Sequence, residues 1–258
     1  MPYPDFIIAG FPRCGTTALV MNLNENNEIF VCLQEANYFN TKNKTLSGYL
    51  SLFKPHKING EKTALYVHEN SSIKKMKLLL PNAKIILCVR HPIQMLHSFY
   101  NLKTSDFVNR ENLPWSINPD EISFSDLILK DIETKKVSNE CGFFMKYIRN
   151  LLKYYQRENI YIIIQERMFD NIPNEINKVF KFIGAKTLKK RKYKKFIRYD
   201  QNMRYEHINY SDKNYKKAIR KLLKLYKPWN KRLYKFLGEK ISEWEEQDRF
   251  YENISVHR

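Results

Sequence analysis

The residues with the clearest chemistry lie near the start of the chain. Phe6-Ile-Ile-Ala-Gly10-Phe-Pro-Arg13-Cys14-Gly15-Thr16-Thr17 reads as a buried strand, a glycine-bounded loop and the first turn of a helix. Gly10 and Gly15 enclose four residues, the spacing of a Walker A loop, where main-chain N–H groups and the positive end of a helix converge on an anion. Thr16 stands where a nucleoside-triphosphate loop carries its lysine, and the cation, Arg13, lies inside the loop instead. The cradle therefore suits a phosphate-bearing donor that is not handled as a nucleoside triphosphate. Cys14 sits at the helix N-terminus, a place that lowers a thiol's pKa, but nothing in the sequence pairs it with a histidine. Arg90 and Ser98 form a second anion-binding set. A guanidinium offers a fork of donors to a phosphate dianion, and a serine two helical turns beyond Pro92 can return to the same group if its helix packs beside the strand end. Glu35 follows the short apolar run Ile29–Cys32, which puts a carboxylate at a sheet edge where an acceptor would approach and lose a proton. The six histidines, including His68 and His97, form no H-E-x-x-H or Cys/His ligand spacing, and there is no G-x-S-x-G elbow. No metal and no nucleophilic triad is expected.

Positioning these groups requires strands that end at one edge. Apolar runs predict strands near 5–9, 29–32, 84–89 and 160–164, with a weaker one near 63–67. Helices are expected from Thr16 to about Glu25, over Ser72–Leu80, over Ile93–Leu102 and within 141–157. Ala218, Leu222, Leu225 and Tyr226 form a further stripe, after which Pro228 opens another helix that closes at Gly238. The alternation predicts an α/β fold, a P-loop-like and mainly parallel sheet of about five strands with helices on both faces, in a single domain spanning 1–258. Ligands then bind beyond the C-terminal strand ends, where Gly10–Thr17 and Arg90 should lie.

Four stretches in this order resemble the sulfotransferase family, which moves a sulfuryl group from 3′-phosphoadenosine-5′-phosphosulfate to a hydroxyl or amine, and within it the heparan-sulfate type. Gly10-Phe-Pro-Arg-Cys-Gly-Thr-Thr17 looks like the family's 5′-phosphosulfate loop, and Ile85-Ile-Leu-Cys-Val-Arg90-His-Pro92, with Ser98 eight positions after the arginine, looks like its 3′-phosphate motif. Gln34-Glu35-Ala-Asn37-Tyr-Phe-Asn40 and Gly60-Glu-Lys62-Thr-Ala-Leu-Tyr66 complete the set. The resemblance implies a donor bound without metal by Arg13, Cys14, Gly15, Thr16, Thr17, Arg90 and Ser98, and an acceptor that is a carbohydrate. It makes Glu35 the base, with Arg13 and Lys62 supporting the leaving group. Arg204, within Tyr199-Asp-Gln-Asn-Met-Arg204-Tyr, takes the place of a second 3′-phosphate contact. Asn37 departs from the family's usual His or Gln, Arg13 from its usual Lys, and no cysteine follows Cys141 to make the family's C-terminal hairpin bridge.

The formal net charge is +18. Lys186, Lys189, Lys190, Arg191, Lys192, Lys194 and Lys195 form one basic block and residues 213–235 another, which fits either a field that steers an acidic partner or solvated faces in a lysine-rich chain. Lys192-Tyr-Lys-Lys-Phe196 interleaves aromatics with cations, without an RNA-recognition, zinc-finger or helix-turn-helix signature. A nucleotide or nucleoside kinase on the same cradle and a basic nucleic-acid-binding module remain alternatives. No apolar run approaches the roughly 20 residues that span a bilayer, the start Met1-Pro-Tyr-Pro-Asp lacks a basic leader, and the four cysteines are scattered. These features predict a soluble, cytoplasmic protein with reduced thiols.

Overall fold

Strand β1 (Phe6–Gly10) is buried at all five positions. Successive side chains of a strand point to opposite faces, so both faces of the sheet must be covered, as parallel sheets require. The computed structural model describes residues 2–109, 116–134, 137–189 and 208–256. After β1 come α1 (Thr16–Leu23), β2 (Ile29–Val31), α2 (Leu46–Leu50), β3 (Ile58–Lys62), α3 (Asn70–Leu79) and β4 (Lys84–Val89). Then follow α4 (Pro92–Asn109), α5 (Phe124–Glu133), α6 (Phe144–Leu151), β5 (Ile160–Ile164), α7 (Gln165–Asp170), α8 (Ile172–Ile183), α9 (Lys213–Leu237) and α10 (Ser242–Val256).

The described residues fall into two compact units. The first holds those up to Arg90 together with those from Tyr147 to Lys189, and so contains the whole sheet. Its strands run β2-β3-β1-β4-β5, every neighbouring pair parallel. The chain leaves β1 toward β2 and leaves β4 toward β5, so the connections diverge between two adjacent central strands, and the crevice at their carboxyl ends is where such sheets bind ligands.

The expected strand near 63–67 is displaced. β3 instead uses Ile58-Asn-Gly-Glu-Lys62, a polar sequence that carries no apolar run. Gly60 lies opposite Phe6, whose ring would stand 2.3 Å from a Cβ at that position, so the strand needs a glycine there. Asn59 is buried, with its amide satisfied by the Lys54 and Lys57 carbonyls at 2.9 and 3.0 Å. The apolar stretch that suggested a strand turns away as a short 3₁₀ segment, Tyr66–His68.

The second unit comprises the described residues of His91–Lys146 and those from Ile208 onward, a helical assembly with an aromatic core. Within it, the predicted break at Pro228 does not occur. A single helix, α9, runs through the proline. Its buried stripe, Tyr215, Ala218, Ile219, Leu222, Tyr226, Asn230 and Leu233, stays in register across Pro228, and that burial outweighs the roughly 3 kcal/mol that an interior proline costs. The helix expected within 141–157 is likewise shorter: a 3₁₀ segment, Val137–Gly142, precedes α6, and it ends on a glycine where a Cβ would come within 2.6 Å of the Tyr226 ring. Helices α2, α5, α7, α8 and α10 were not read from the sequence, although α2, α5 and α8 carry side-chain caps at Thr45, Ser123 and Asn171.

Candidate active site

The chain leaves β1 into the loop that the glycines mark. The Phe11 N–H donates to the Cys88 carbonyl at 3.0 Å, tying the loop to the neighbouring β4. Arg13 and Gly15 both take the left-handed conformation, with φ of 63° and 87°. Left-handed residues in such a turn aim successive N–H groups inward as an anion-binding nest. The first bond of α1 runs from the Leu19 N–H to the Gly15 carbonyl at 3.0 Å, so the N–H groups of Thr16, Thr17 and Ala18 have no partner within the helix. Gly15 is held to glycine twice, by its φ and by Gln165 and Met168, whose side-chain atoms would lie 3.2 Å from an added Cβ.

Cys14 corrects one expectation. Its side chain is fully buried beneath the loop, and desolvation drives the thiol pKa well above its ordinary value despite Arg90 and Arg13 nearby. The helix terminus does not make it a thiolate. Burial likewise pushes up Cys88, and all four cysteines are free thiols.

Arg90 follows β4 and is 7% exposed; its guanidinium donates to the Arg13 carbonyl at 3.3 Å. The two phosphate-type motifs, 77 residues apart in sequence, are thus joined at adjacent strand ends. Lys62 closes β3 on the other side of β1, and its ammonium lies 3.6 Å from Glu35 Oε1, with the lysine nearly buried and the glutamate side chain one-third exposed. The Ala64 N–H also donates to Glu35 Oε1, at 3.3 Å. Arg13, Cys14, Gly15, Thr16, Thr17, Arg90, Lys62 and Glu35 therefore all lie in the first unit, at or just beyond the carboxyl ends of the strands. Ser98 lies on α4, in the second unit, and is buried. Arg204, the Lys192–Phe196 patch and the basic block from Lys190 to Lys195 lie outside the described residues. Of that block's first members, Lys186 pairs with Glu28 at 3.1 Å.

A second group around Glu35 was not singled out from the sequence. Glu61 is 1% exposed, accepts from the Tyr49 hydroxyl at 2.5 Å and the Thr63 hydroxyl at 2.9 Å, and has the Tyr66 hydroxyl as a further electrostatic neighbour. Desolvation pushes its pKa up by more than the neighbouring Tyr49, Tyr66 and Thr63 hydroxyls pull it down, so the carboxyl lies above its ordinary value. The same desolvation, with Glu61 beside them, raises the Tyr49 and Tyr66 phenols. Glu61 stands in the quoted Gly-Glu-Lys-Thr stretch, but nothing in a sequence with 27 acids tells a buried carboxylate from a solvated one. His68 packs against Phe11 and Tyr147 with ring centroids at 5.5 and 4.4 Å, and burial lowers its pKa to about 4. Among the described residues no group of three or more His, Cys, Asp or Glu is placed to hold a metal ion, and no helix is long and apolar enough to cross a membrane.

Comparison with known proteins finds sulfotransferases. A bifunctional heparan sulfate N-deacetylase/N-sulfotransferase 1 of Caenorhabditis elegans is 24% identical over 95% of this chain, and the human heparan sulfate glucosamine 3-O-sulfotransferase 3B1 is 22% identical over 91%. The chain spans 31% and 63% of the length of these two relatives. A sulfotransferase structure from Alicyclobacillus acidocaldarius superposes with a TM-score of 0.71 at 18% identity, over 95% of this chain and all of that one. A mouse sulfotransferase solved in complex with PAP superposes at 0.52 and 17% identity, over 75% of this chain and 62% of that one. The model of the sulfotransferase domain matches residues 3–247, and the chain therefore belongs to the sulfotransferase domain family.

Proposed function

We propose that this protein transfers a sulfuryl group from 3′-phosphoadenosine-5′-phosphosulfate to a hydroxyl or amine of a carbohydrate acceptor. The observation that carries the reading is the bond from Arg90 to the Arg13 carbonyl, which joins a phosphate loop to a second cationic anion site. One phosphate would occupy the nest from Arg13 to Thr17, and a second, separate phosphate would meet the Arg90 guanidinium. A donor with phosphates at both ends of its ribose matches that pair. The main-chain N–H groups of the loop hold the 5′-phosphosulfate, and the Cys14 thiol, being buried, takes no part.

Glu35 is the base. It removes the acceptor's proton as the acceptor oxygen or nitrogen bonds to sulfur, the bond from sulfur to the 5′-phosphate oxygen breaks, and the bond's electron pair leaves on that oxygen. Arg13 and Lys62 stabilise the developing charge, a role extended from phosphoryl transfer, where positioning and electrostatics do most of the work. Lys62 also holds the Glu35 carboxylate in place through the 3.6 Å pair. A carbohydrate acceptor is supported by the relatives, whose names specify heparan sulfate.

Ligand-dependent melting separates this reading from a kinase on the same cradle. Binding to the native state alone stabilises by RT ln(1 + [L]/Kd), about 2.7 kcal/mol at a hundredfold excess over Kd. Adenosine 3′,5′-bisphosphate without Mg²⁺ should raise the melting temperature, and ATP with Mg²⁺ should do much less. An equal or larger shift from Mg-ATP would overturn the proposal. Labelled donor offered to a panel of hydroxylated and N-unsubstituted glycans, small alcohols and amines then identifies the acceptor.

A further inference from the structure

Glu35 is carried on a loop that holds itself by few bonds of its own. Just after it, Asn37 takes the left-handed conformation at φ 50°. Three consecutive main-chain donors of this turn bond to two hydroxyls: Asn37 N–H to Thr63 Oγ1 at 3.0 Å, and Tyr38 and Phe39 N–H to Tyr66 Oη at 2.7 and 3.3 Å. A hydroxyl has one proton to give and two lone pairs to receive with. Tyr66 Oη receives twice and Thr63 Oγ1 receives once, so each must direct its only proton elsewhere. Thr63 directs it to Glu61, which takes a second proton from Tyr49, and the Tyr66 hydroxyl is an electrostatic neighbour of the same carboxylate. With the Tyr49 and Thr63 hydroxyls both donating to it, one on each oxygen, Glu61 is the acceptor toward which this group of hydroxyls is turned.

We propose that Glu61 is a positioning residue for the reaction, the common proton acceptor that fixes the Thr63 and Tyr66 hydroxyls so that their lone pairs clamp the main chain immediately after Glu35. The inference rests on the reading of Glu35 as base. β3 serves both ends of the site: Lys62 pairs with the Glu35 side chain while Glu61, one residue earlier and on the opposite face of the strand, holds the Glu35 loop through hydroxyls. A buried carboxylate, though expensive to desolvate, is the group that forces two hydroxyls to become acceptors toward the loop. A leucine of similar size would leave both free to rotate their protons toward the loop amides, donor against donor.

The test compares Tyr66→Phe, Thr63→Val, Thr63→Ser and Glu61→Gln with Glu35→Gln in the full chain. Amide hydrogen exchange, which needs no acceptor, reads the clamp directly. Tyr66→Phe should expose the Tyr38 and Phe39 amides and Thr63→Val the Asn37 amide, each by tenfold or more in exchange rate (about 1.4 kcal/mol), and Thr63→Ser should restore protection. With the acceptor from the panel, Tyr66→Phe, Thr63→Val and Glu61→Gln should lower kcat about tenfold or more, the scale on which misplacement by a fraction of an ångström acts. KM and the Kd of adenosine 3′,5′-bisphosphate should stay within about twofold, inside the effect of a substitution that touches neither ligand. If these amides stay protected, or kcat per folded molecule is unchanged in Tyr66→Phe and Thr63→Val while Glu35→Gln is inactive, the clamp is wrong and the base stands. A fully active Glu35→Gln enzyme would bring down the base and, with it, the clamp.

Discussion

The two halves of the candidate site are built by opposite means. The donor cradle, residues 10–17, takes its shape chiefly from its own main chain, through two left-handed residues, a helix start and a bond to the next strand, with the Arg90 guanidinium as a brace on the Arg13 carbonyl. The loop around Glu35 is shaped from outside, by hydroxyls 26 to 28 residues away in sequence and by a lysine at the end of a third strand. Local geometry suffices to bind a phosphate, because N–H groups need only converge. A base must meet one proton at one angle, and a loop acquires that precision by being anchored to a sheet.

The largest effect expected from this contrast is that of Glu35→Gln. Glutamine keeps the size and much of the hydrogen bonding but cannot accept a proton at neutral pH. Turnover on the accepted substrate should fall by about 10²–10⁴-fold, with bisphosphate binding nearly intact and a normal melting curve. A simultaneous loss of bisphosphate affinity would show that the halves are not separable. If turnover survives, His68 becomes the next candidate base.

His68 tests the cradle's apolar backing. Its two ring nitrogens are buried with no hydrogen-bond partner, and its pKa lies near 4 against an ordinary 6.5. The folded protein therefore binds fewer protons than the unfolded chain between those values, and His68 costs stability as the pH falls through that window, by up to about 3 kcal/mol. His68→Phe should flatten the fall in urea-unfolding free energy between pH 6.5 and 4. An unchanged pH profile would mean that the imidazole finds a partner in solution.

Next in size is Arg90→Ala. If the guanidinium grips a 3′-phosphate, the change should weaken adenosine 3′,5′-bisphosphate by about 1.5–3 kcal/mol and adenosine 5′-phosphate far less, as read by calorimetry. Because Arg90 also donates to the Arg13 carbonyl, equal weakening of both ligands would make it a brace for the loop instead.

The same contrast explains what the sequence disclosed. The cradle was legible because its determinants are contiguous: a five-residue apolar strand, two glycines at fixed spacing and a helix after them. Arg90 was legible because it ends an apolar run. β3 was not, since Asn59, Gly60 and Glu61 are polar or small and owe their burial to Phe6 and to partners elsewhere. Glu61 was hidden for the same reason: its role is a matter of who surrounds it. At Cys14 the helix terminus is visible in sequence and the desolvation that overrides its effect on the thiol is not. Pro228 misled because a local penalty was legible and the buried stripe that absorbs it lies on both sides of the break.

The smallest effect is the most discriminating. Asn37 occupies the position where the chain departs from the family-like pattern, and its side chain makes two modest bonds, donating to the Glu35 carbonyl at 3.3 Å and accepting from Asn40 at 3.2 Å. If the loop is clamped through main-chain N–H groups, Asn37→Gly keeps the clamp, since glycine retains the N–H bonded to Thr63 and takes φ 50° without strain. The lost side-chain bonds and the extra freedom of the unfolded chain oppose that relief. Stability and kcat should then both stay within about 0.5 kcal/mol of the wild type, roughly twofold in rate. A rise in KM at unchanged kcat would place the Asn37 side chain against the acceptor. A fall in kcat approaching that of Glu35→Gln, with the Asn37 amide still protected from exchange, would mean that the side chain and not the main-chain clamp orients the base. The loop's precision would then be local after all, and the contrast between the two halves of the site would collapse.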